Sequence, residues 1–583
     1  MSESTQPAGT APVPAPSPEP PPSRTPPVQP PDAPASSRTE PFAAAPGLPD
    51  ALAALLAAES VHAARWYPVL RALAEEWRTV GELVRASALS RRGVERLLDA
   101  LGGELEHDGE RVRIRPAAAG RYLGLPAEWA GDPARLSPER HAAELAELER
   151  LVAGAPPPLR RLDHVAATPE TALRRALLLA GRYELAGAHL LCVGDHDLTS
   201  LAATLLHPGL SASVVDVDDR VLGYIESSAA RLGLPVRCYY ADLRHRLPQA
   251  LAGGADLAFT DPPYTREGVE LFVRRALGGL RDARQRPVLL AYGASEATPG
   301  LVQPVQETLA RLGLVTEAIW PDFNRYDGAE AIGAASDLYL LRGTLRWRPA
   351  QGRRGAGPAE CAPSRIYTHG PQSLEAPGGD GAAPAPSRSA TREAVGDWLA
   401  EAAAARGGRR VPLVDWTAPP AARGGAAAVD LLDAAPGALP RALLTAGADT
   451  VYAFVPDDAH ELRRRPAQRR LAALLDPWFT LRILRGTPTP RLAVVAAHRV
   501  PPDSPERALL ARCAQAPFAP LGSALREALI AVEAEQGRTV SKREARLRVA
   551  AAAPWLSGHA LADLPAHRLS RLPSVAEELL DGR

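Results

Sequence analysis

Between Gly194 and Tyr264 the chain places nine acids, Asp195, Asp197, Asp216, Asp218, Asp219, Glu226, Asp242, Asp256 and Asp261, against five arginines. Most of these acids follow short apolar runs, HLLCVG, SASVVDVD, VRCYYADL and DLAFTDPP. Such runs, bounded by turn residues, read as strands. In open α/β sheets, ligands bind at the carboxyl ends of strands. The first run ends Gly194-Asp195-His196-Asp197. A dinucleotide site would carry G-x-G-x-x-G there, so that a pyrophosphate could approach a helix N-terminus. Acids stand in place of those glycines, which disfavours a pyrophosphate and favours a cationic ligand. The second run ends with Asp216 and Asp218. A carboxylate at that place takes ribose hydroxyls, and Asp216 is the first choice for it. The third ends Ala241-Asp242-Leu243, placed to hydrogen-bond an adenine amino group. Gly194, Asp216, Asp218, Asp242 and Leu243 therefore form the expected nucleoside-binding set. The description is of a nucleoside without phosphates that carries positive charge, and an S-adenosyl sulfonium satisfies it.

The fourth run ends Thr260-Asp261-Pro262-Pro263-Tyr264. Two prolines fix the loop backbone and remove two N–H donors. The loop carbonyls and Asp261 are left to accept from an amine, and Tyr264 to pack over it. Transfer of a carbon from sulfonium to nitrogen needs a deprotonated amine held in line with the sulfonium carbon. Carboxylates near the nitrogen then serve as base and as electrostatic holders. His196, between two acids, is either a base near neutral pH or simply an acid's partner. No histidine pair has metal-ligand spacing, so no metal is expected.

These residues need a sheet to hold them. Across residues 189–345 the seven apolar runs alternate with helical patterns at Leu198–Leu206, Arg220–Leu232, Arg266–Leu280 and Val302–Leu312. The last two runs follow one another without a helix. A Rossmann-like α/β domain of the methyltransferase type, seven-stranded with a reversed final strand, is expected within residues 126–345. Thr168-Pro169-Glu170-Thr171 is a helix start, with a capping Thr, Pro at the first position and an acid in the first turn. Residues 48–125 read as three helices, two of them capped by Thr79 and Ser90, followed by a hairpin turning at Asp108-Gly109. That is a winged helix. Its third helix carries Arg91, Arg92 and Arg96, but Glu95, Asp99 and Glu104 dilute the positive face, so packing against a neighbour is the expectation. Residues 1–47 hold 15 prolines and read as a disordered tail. Residues 346–390 read as a flexible linker. Residues 391–500 read as an accessory α/β unit, with strands at VPLVDW, TVYAFV, FTLRILRG and RLAVVAA and a helix over Pro466–Leu475. Its order of elements echoes residues 287–343 and suggests a degenerate partial repeat with a structural or dimerising role. Residues 501–583 read as helical.

Composition narrows the classes. The 583 residues carry 67 basic and 67 acidic side chains, which disfavours a globally basic nucleic-acid binder. Lys542 is the only lysine and Met1 the only methionine, a pattern that a GC-rich coding bias produces, so the richness in arginine by itself has little functional weight. Cys192, Cys238, Cys361 and Cys513 are far apart, which supports neither a disulfide framework nor a zinc site and fits a reducing cytoplasm. The first residues have no basic start and no apolar core, and no apolar run is long enough to span a membrane.

Residues 50–345 resemble the branched-chain polyamine synthases, the N4-bis(aminopropyl)spermidine synthases. The likeness is carried by T-P-E-T at 168–171, G-D-H-D-L-T-S-L at 194–201, V-D-V-D-D-R at 215–220, D-L-R-H-R-L-P at 242–248, T-D-P-P-Y-T at 260–265 and F-N-R-Y at 323–326. The resemblance implies aminopropyl transfer from decarboxylated S-adenosylmethionine, as co-substrate rather than resident cofactor, to an amine of spermidine or a related polyamine. Asp195, Asp197, Asp261 and Tyr264 would be catalytic. His196, Pro262, Pro263, Asn324 and Tyr326 would line the acceptor side. His196 replaces the middle acid of the family's G-D-D-D, and Tyr264 stands where archaeal relatives carry Glu. Both lower the negative charge. Tyr264 also brings the loop closer to the D-P-P-Y of amino N-methyltransferases that use intact S-adenosylmethionine, the alternative enzyme. A regulator binding DNA through the winged helix and sensing a polyamine is a third reading. About 240 C-terminal residues have no counterpart in short family members.

Overall fold

The computed structural model describes residues 45–347, 366–367 and 424–581, apart from 128, 130, 295–298, 329–333, 433 and 557. Most of the expected N-terminal tail, most of the linker and the VPLVDW strand lie outside the described residues.

The central sheet contains β1 (His189–Val193), β2 (Ser211–Asp216), β3 (Val236–Tyr240), β4 (Leu257–Thr260), β5 (Val288–Tyr292), β6 (Leu314–Asp327) and β7 (Ala335–Gly343). Their order is β3-β2-β1-β4-β5-β7-β6, and a two-residue strand, Ala166–Ala167, pairs with the far end of β6. The first five run parallel, and β7 is antiparallel to both β5 and β6. This is the methyltransferase-like Rossmann arrangement expected from the seven runs. The strands read as continuous apolar runs because both faces are covered. Leu190 and Cys192 of β1 enter one core, against the helices Pro169–Arg182 and Thr199–Leu206. Leu191 and Val193, on the opposite face, enter another core with the helix Arg266–Gly279.

Residues 50–114 form a smaller body around their own core. The helices Val80–Ser87 and Arg91–Leu101 start where Thr79 and Ser90 accept hydrogen bonds from the backbone of Glu82 and Gly93, and Glu82 completes a capping box. The hairpin Leu105–Asp108 with Arg111–Ile114 follows.

In the C-terminal third, Ala426–Asp430 pairs parallel with Thr450–Pro456, which pairs antiparallel with Leu492–Arg499, and that with Phe479–Arg485. This repeats the pairing of β4, β5, β7 and β6, so the echo read from the sequence is present in the topology. The helices Pro505–Cys513, Leu521–Glu535, Lys542–Ala552 and Leu572–Asp581 share that unit's core. The unit covers β3, which would otherwise be an open sheet edge. His559 Nε2 lies 3.0 Å from the Cys238 carbonyl oxygen, and its ring stacks on Tyr239. Cys192, Cys238 and Cys513 are unbridged and buried. Among the described residues, no helix is long and apolar enough to cross a membrane, and no group of three potential ligands could hold a metal ion.

Candidate active site

A cavity of about 1090 Å³ opens at the carboxyl ends of β1, β2, β4 and β6 and over the loop after β3. Each strand delivers its last residues there because a parallel sheet aligns its strand ends. Gly194 leaves β1 with φ +71°, a conformation open to glycine, and a Cβ there would come within 3.3 Å of Phe272. The loop then turns back so that Asp195 accepts from the Ser200 amide at the start of the next helix, 3.2 Å away. Burial pushes the Asp195 carboxyl up to about 7. Asp216 accepts from the amide of Asp218 at 2.8 Å, and burial raises it to about 6.

Asp195, His196, Asp197, Asp216, Asp242, Leu243, Asp261, Pro262, Pro263, Tyr264 and Tyr326 all line the cavity with Gly194. Two expected residues stand behind its wall. Asp218 caps the helix Asp219–Leu232 and pairs with Arg220 at 2.6 Å, so its carboxylate is engaged there rather than free for a ribose. Asn324 is fully buried, its carboxamide bonded to Arg175 and Ser336. Asp242 does reach the cavity, but Arg244 grips it through Nε at 2.9 Å and Nη2 at 2.5 Å. The pairing outweighs burial and holds Asp242 below the usual carboxylate range.

The amine-side cluster is organised by a residue the motif reading passed over. Arg175, from the T-P-E-T helix, is 1% exposed. It donates to Asp197 Oδ2 at 2.9 Å, Asp261 Oδ2 at 2.8 Å, Asn324 Oδ1 at 2.8 Å and Thr199 Oγ1 at 3.1 Å, and lies over the Phe259 ring. Burial opposes its charge, but Asp197, Tyr326 and Asp261 together hold the guanidinium above its ordinary range. Asp197 also accepts from the Ala167 amide at 3.0 Å. Burial opposes the Asp197 charge too, yet Arg175 and its other partners bring it below its usual value. Asp261 accepts from Tyr326 Oη at 2.7 Å and from Tyr264 Oη at 3.1 Å. Burial and the neighbouring Asp197 nevertheless push it up to about 8. The two carboxylates thus share one cation and form a pair in which Asp261 is the proton-holding member.

His196 stands edge-on to His164, ring centroids 4.5 Å apart. Among the described residues, neither ring nitrogen of His196 has a hydrogen-bond partner. Burial and the facing His164 lower its pKa, and burial lowers that of His164 to about 4. Both rings are therefore neutral near pH 7 and add no charge to the cavity. Tyr367, from the stretch read as linker, also lines it, and Thr265 Oγ1 donates to the Ile366 carbonyl at 2.6 Å. The stretch from Gly194 to Tyr264 understated the cations, since Arg160 and Arg266 join Arg244 in the wall. Eight acids still face those three arginines.

The fold and its strand ends define a methyltransferase-like α/β domain with an acid-lined pocket. Residues 145–341 match the family model of the branched-chain polyamine synthase A C-terminal domain, so the resemblance read from the motifs holds over that segment. The chain is 36% identical over 182 residues to an uncharacterised protein of Methanocaldococcus jannaschii, which is 31% of this chain and 46% of that one. It is 30% identical over 184 residues to the N(4)-bis(aminopropyl)spermidine synthase of the same organism, covering 31% and 52%. It therefore spans about half the length of these curated relatives. A solved structure of the Thermus thermophilus branched-chain polyamine synthase, in complex with N4-aminopropylspermidine and 5'-methylthioadenosine, aligns at 25% identity with a TM-score of 0.31, covering 52% of this chain and 96% of that one.

Proposed function

We propose that this protein transfers the aminopropyl group of decarboxylated S-adenosylmethionine to an amine of spermidine or a related polyamine. The observation that supports this most directly is the Asp197–Arg175–Asp261–Tyr326 cluster at the floor of a wide, acid-lined cavity. The amine nitrogen attacks the propyl carbon bonded to sulfur. The C–S bond breaks and its electron pair returns to sulfur, leaving neutral methylthioadenosine. A secondary amine becomes a tertiary ammonium and loses its proton to Asp261 or to water. Asp197, ionised, holds the polycation, and Tyr264 with Pro262 and Pro263 shapes the path to the sulfonium carbon. Asp216, Asp242 and Leu243 serve the nucleoside, and Asp195 stands with the catalytic acids. Residues 126–345 act as the catalytic domain, 48–125 as a winged helix packed against it, and 391–500 with 501–583 as accessory units.

Incubation of the purified protein with spermidine and either decarboxylated or intact S-adenosylmethionine, followed by mass spectrometry of the polyamines, tests this reading. A gain of one or two aminopropyl units with the decarboxylated donor alone is the expected result. A methylated amine from the intact donor alone would overturn it in favour of an amino N-methyltransferase, whose donor carboxylate the three wall arginines could meet.

The neutral His196 gives a further expected outcome. Its replacement by Asp restores a charge to the acceptor wall, and KM for spermidine should fall about tenfold, worth about 1.4 kcal/mol. Steady-state kinetics with spermidine and with a monoamine checks it, because a charge effect scales with the number of acceptor cations.

A further inference from the structure

The C-terminal third grips one half of the catalytic domain. Arg441, 2% exposed, sends Nη1 to Asp219 Oδ2 at 2.9 Å and Nη2 to Asp219 Oδ1 at 2.8 Å. The Ala566 amide donates to the same carboxylate at 2.8 Å. Asp219 is the residue that follows Asp218 and opens the helix after β2. Arg441 also lies 3.4 Å over the Tyr240 ring, and Tyr240 Oη donates to the Pro436 carbonyl at 2.9 Å. Tyr240 closes β3 and leads into Asp242. Beyond that loop, Arg246 pairs with buried Asp563 at 2.6 Å. Between these contacts sits Gly437 at φ +74°, where a Cβ would fall 2.7 Å from Asp219 Oδ2 and 3.0 Å from the Tyr240 ring. Among the hydrogen bonds and ring contacts described, those of the C-terminal third reach the β2 and β3 side and none reaches Asp197, Asp261, Tyr264 or Tyr326.

We infer that the C-terminal third positions the nucleoside side of the pocket, with Arg441 as the positioning residue acting through Asp219 on the Asp216–Asp219 loop and through Tyr240 on the Asp242 loop. The inference rests on the reading of these loops as the donor side. A planar guanidinium bonded to both oxygens of a carboxylate fixes orientation as well as distance. The flanking loops carry the acids that would meet ribose and adenine, so their placement sets donor affinity. The acceptor side has its own organiser in Arg175 and is independent of this grip.

The test is steady-state kinetics of the full chain together with calorimetric binding of methylthioadenosine. Arg441→Met should raise KM for the decarboxylated donor and Kd for methylthioadenosine about tenfold each, and leave KM for spermidine within twofold. Gly437→Ala, which crowds Asp219 without removing a charge, should move the same two constants in the same direction by a smaller factor, and keeps the test intact if Arg441→Met does not fold. Unchanged methylthioadenosine affinity in a folded variant would overturn the inference, as would an equal rise in both KM values. Failure of the unmodified protein to bind methylthioadenosine would overturn the functional reading itself, a result separable from the behaviour of the variants.

Discussion

Arg175→Met is expected to destabilise the catalytic domain by about 3–5 kcal/mol, because removing one partner of a buried ion pair leaves the other charge uncompensated. Here two carboxylates lose the same cation, Asp197 at 2.9 Å and Asp261 at 2.8 Å. Methionine fills much of the volume and keeps contact with Phe259, so the loss is electrostatic rather than a cavity. The neutral side chain also leaves the Asn324 carbonyl without its donor. Denaturant unfolding followed by far-ultraviolet circular dichroism reads the stability. A loss below about 1 kcal/mol would mean that water or rearrangement satisfies both acids, and that the cluster is not the closed unit its distances describe. Asp197→Asn combined with Arg175→Met should recover part of the loss, since Asp197 is the ionised member of the pair and its stranded charge is then gone.

Arg175 also shows where the sequence was legible and where it was not. The helix that carries it was read from Thr168-Pro169-Glu170-Thr171, and the structure starts that helix at Pro169 with Thr168 as cap. Residues 168, 171 and 175 lie on one face of the helix. Thr171 faces β6 there, exchanging hydrogen bonds with the Arg325 backbone. A Thr-x-x-Thr-x-x-x-Arg face was therefore visible in the string of residues. What hid it was the background: among 66 arginines with one lysine, a single arginine carries no signal by type. The acids had the opposite fate. Their position after apolar runs marked them, because a strand buried on both faces must place its polar residues at its ends. The same logic brought Asp218 into the expected site and the resemblance brought Asn324, and the structure places both one layer behind the cavity wall. Spacing locates a residue on a strand end or a strand, but the direction of its side chain is set by whichever partner takes it, Arg220 in one case and Arg175 in the other. The grip of the C-terminal third on Asp219 was not legible at all, since it joins residues more than two hundred positions apart.

Asp261→Asn is expected to lower kcat about 10²–10⁴-fold, the range for removal of a positioned proton acceptor. The pH profile carries the sharper content. Asp261 holds its proton up to about pH 8, because burial and the Asp197 charge disfavour ionisation. If it accepts the amine proton, log kcat should rise with pH and level off above about 8, and Asp261→Asn should abolish that arm. The neighbouring variants must then move it in opposite directions. Asp197→Asn removes a like charge, so Asp261 ionises more readily and the arm shifts toward acid. Arg175→Met removes the cation, so ionisation is harder and the arm shifts toward alkali. A general structural defect would lower the plateau in both without moving the arm to opposite sides. The arm belongs to the coupled pair rather than to one carboxyl, and the opposite displacements identify it as such. An arm that stayed in place in all three variants would assign it to the acceptor amine, leaving the Asp261 carboxylate as an electrostatic holder of substrate.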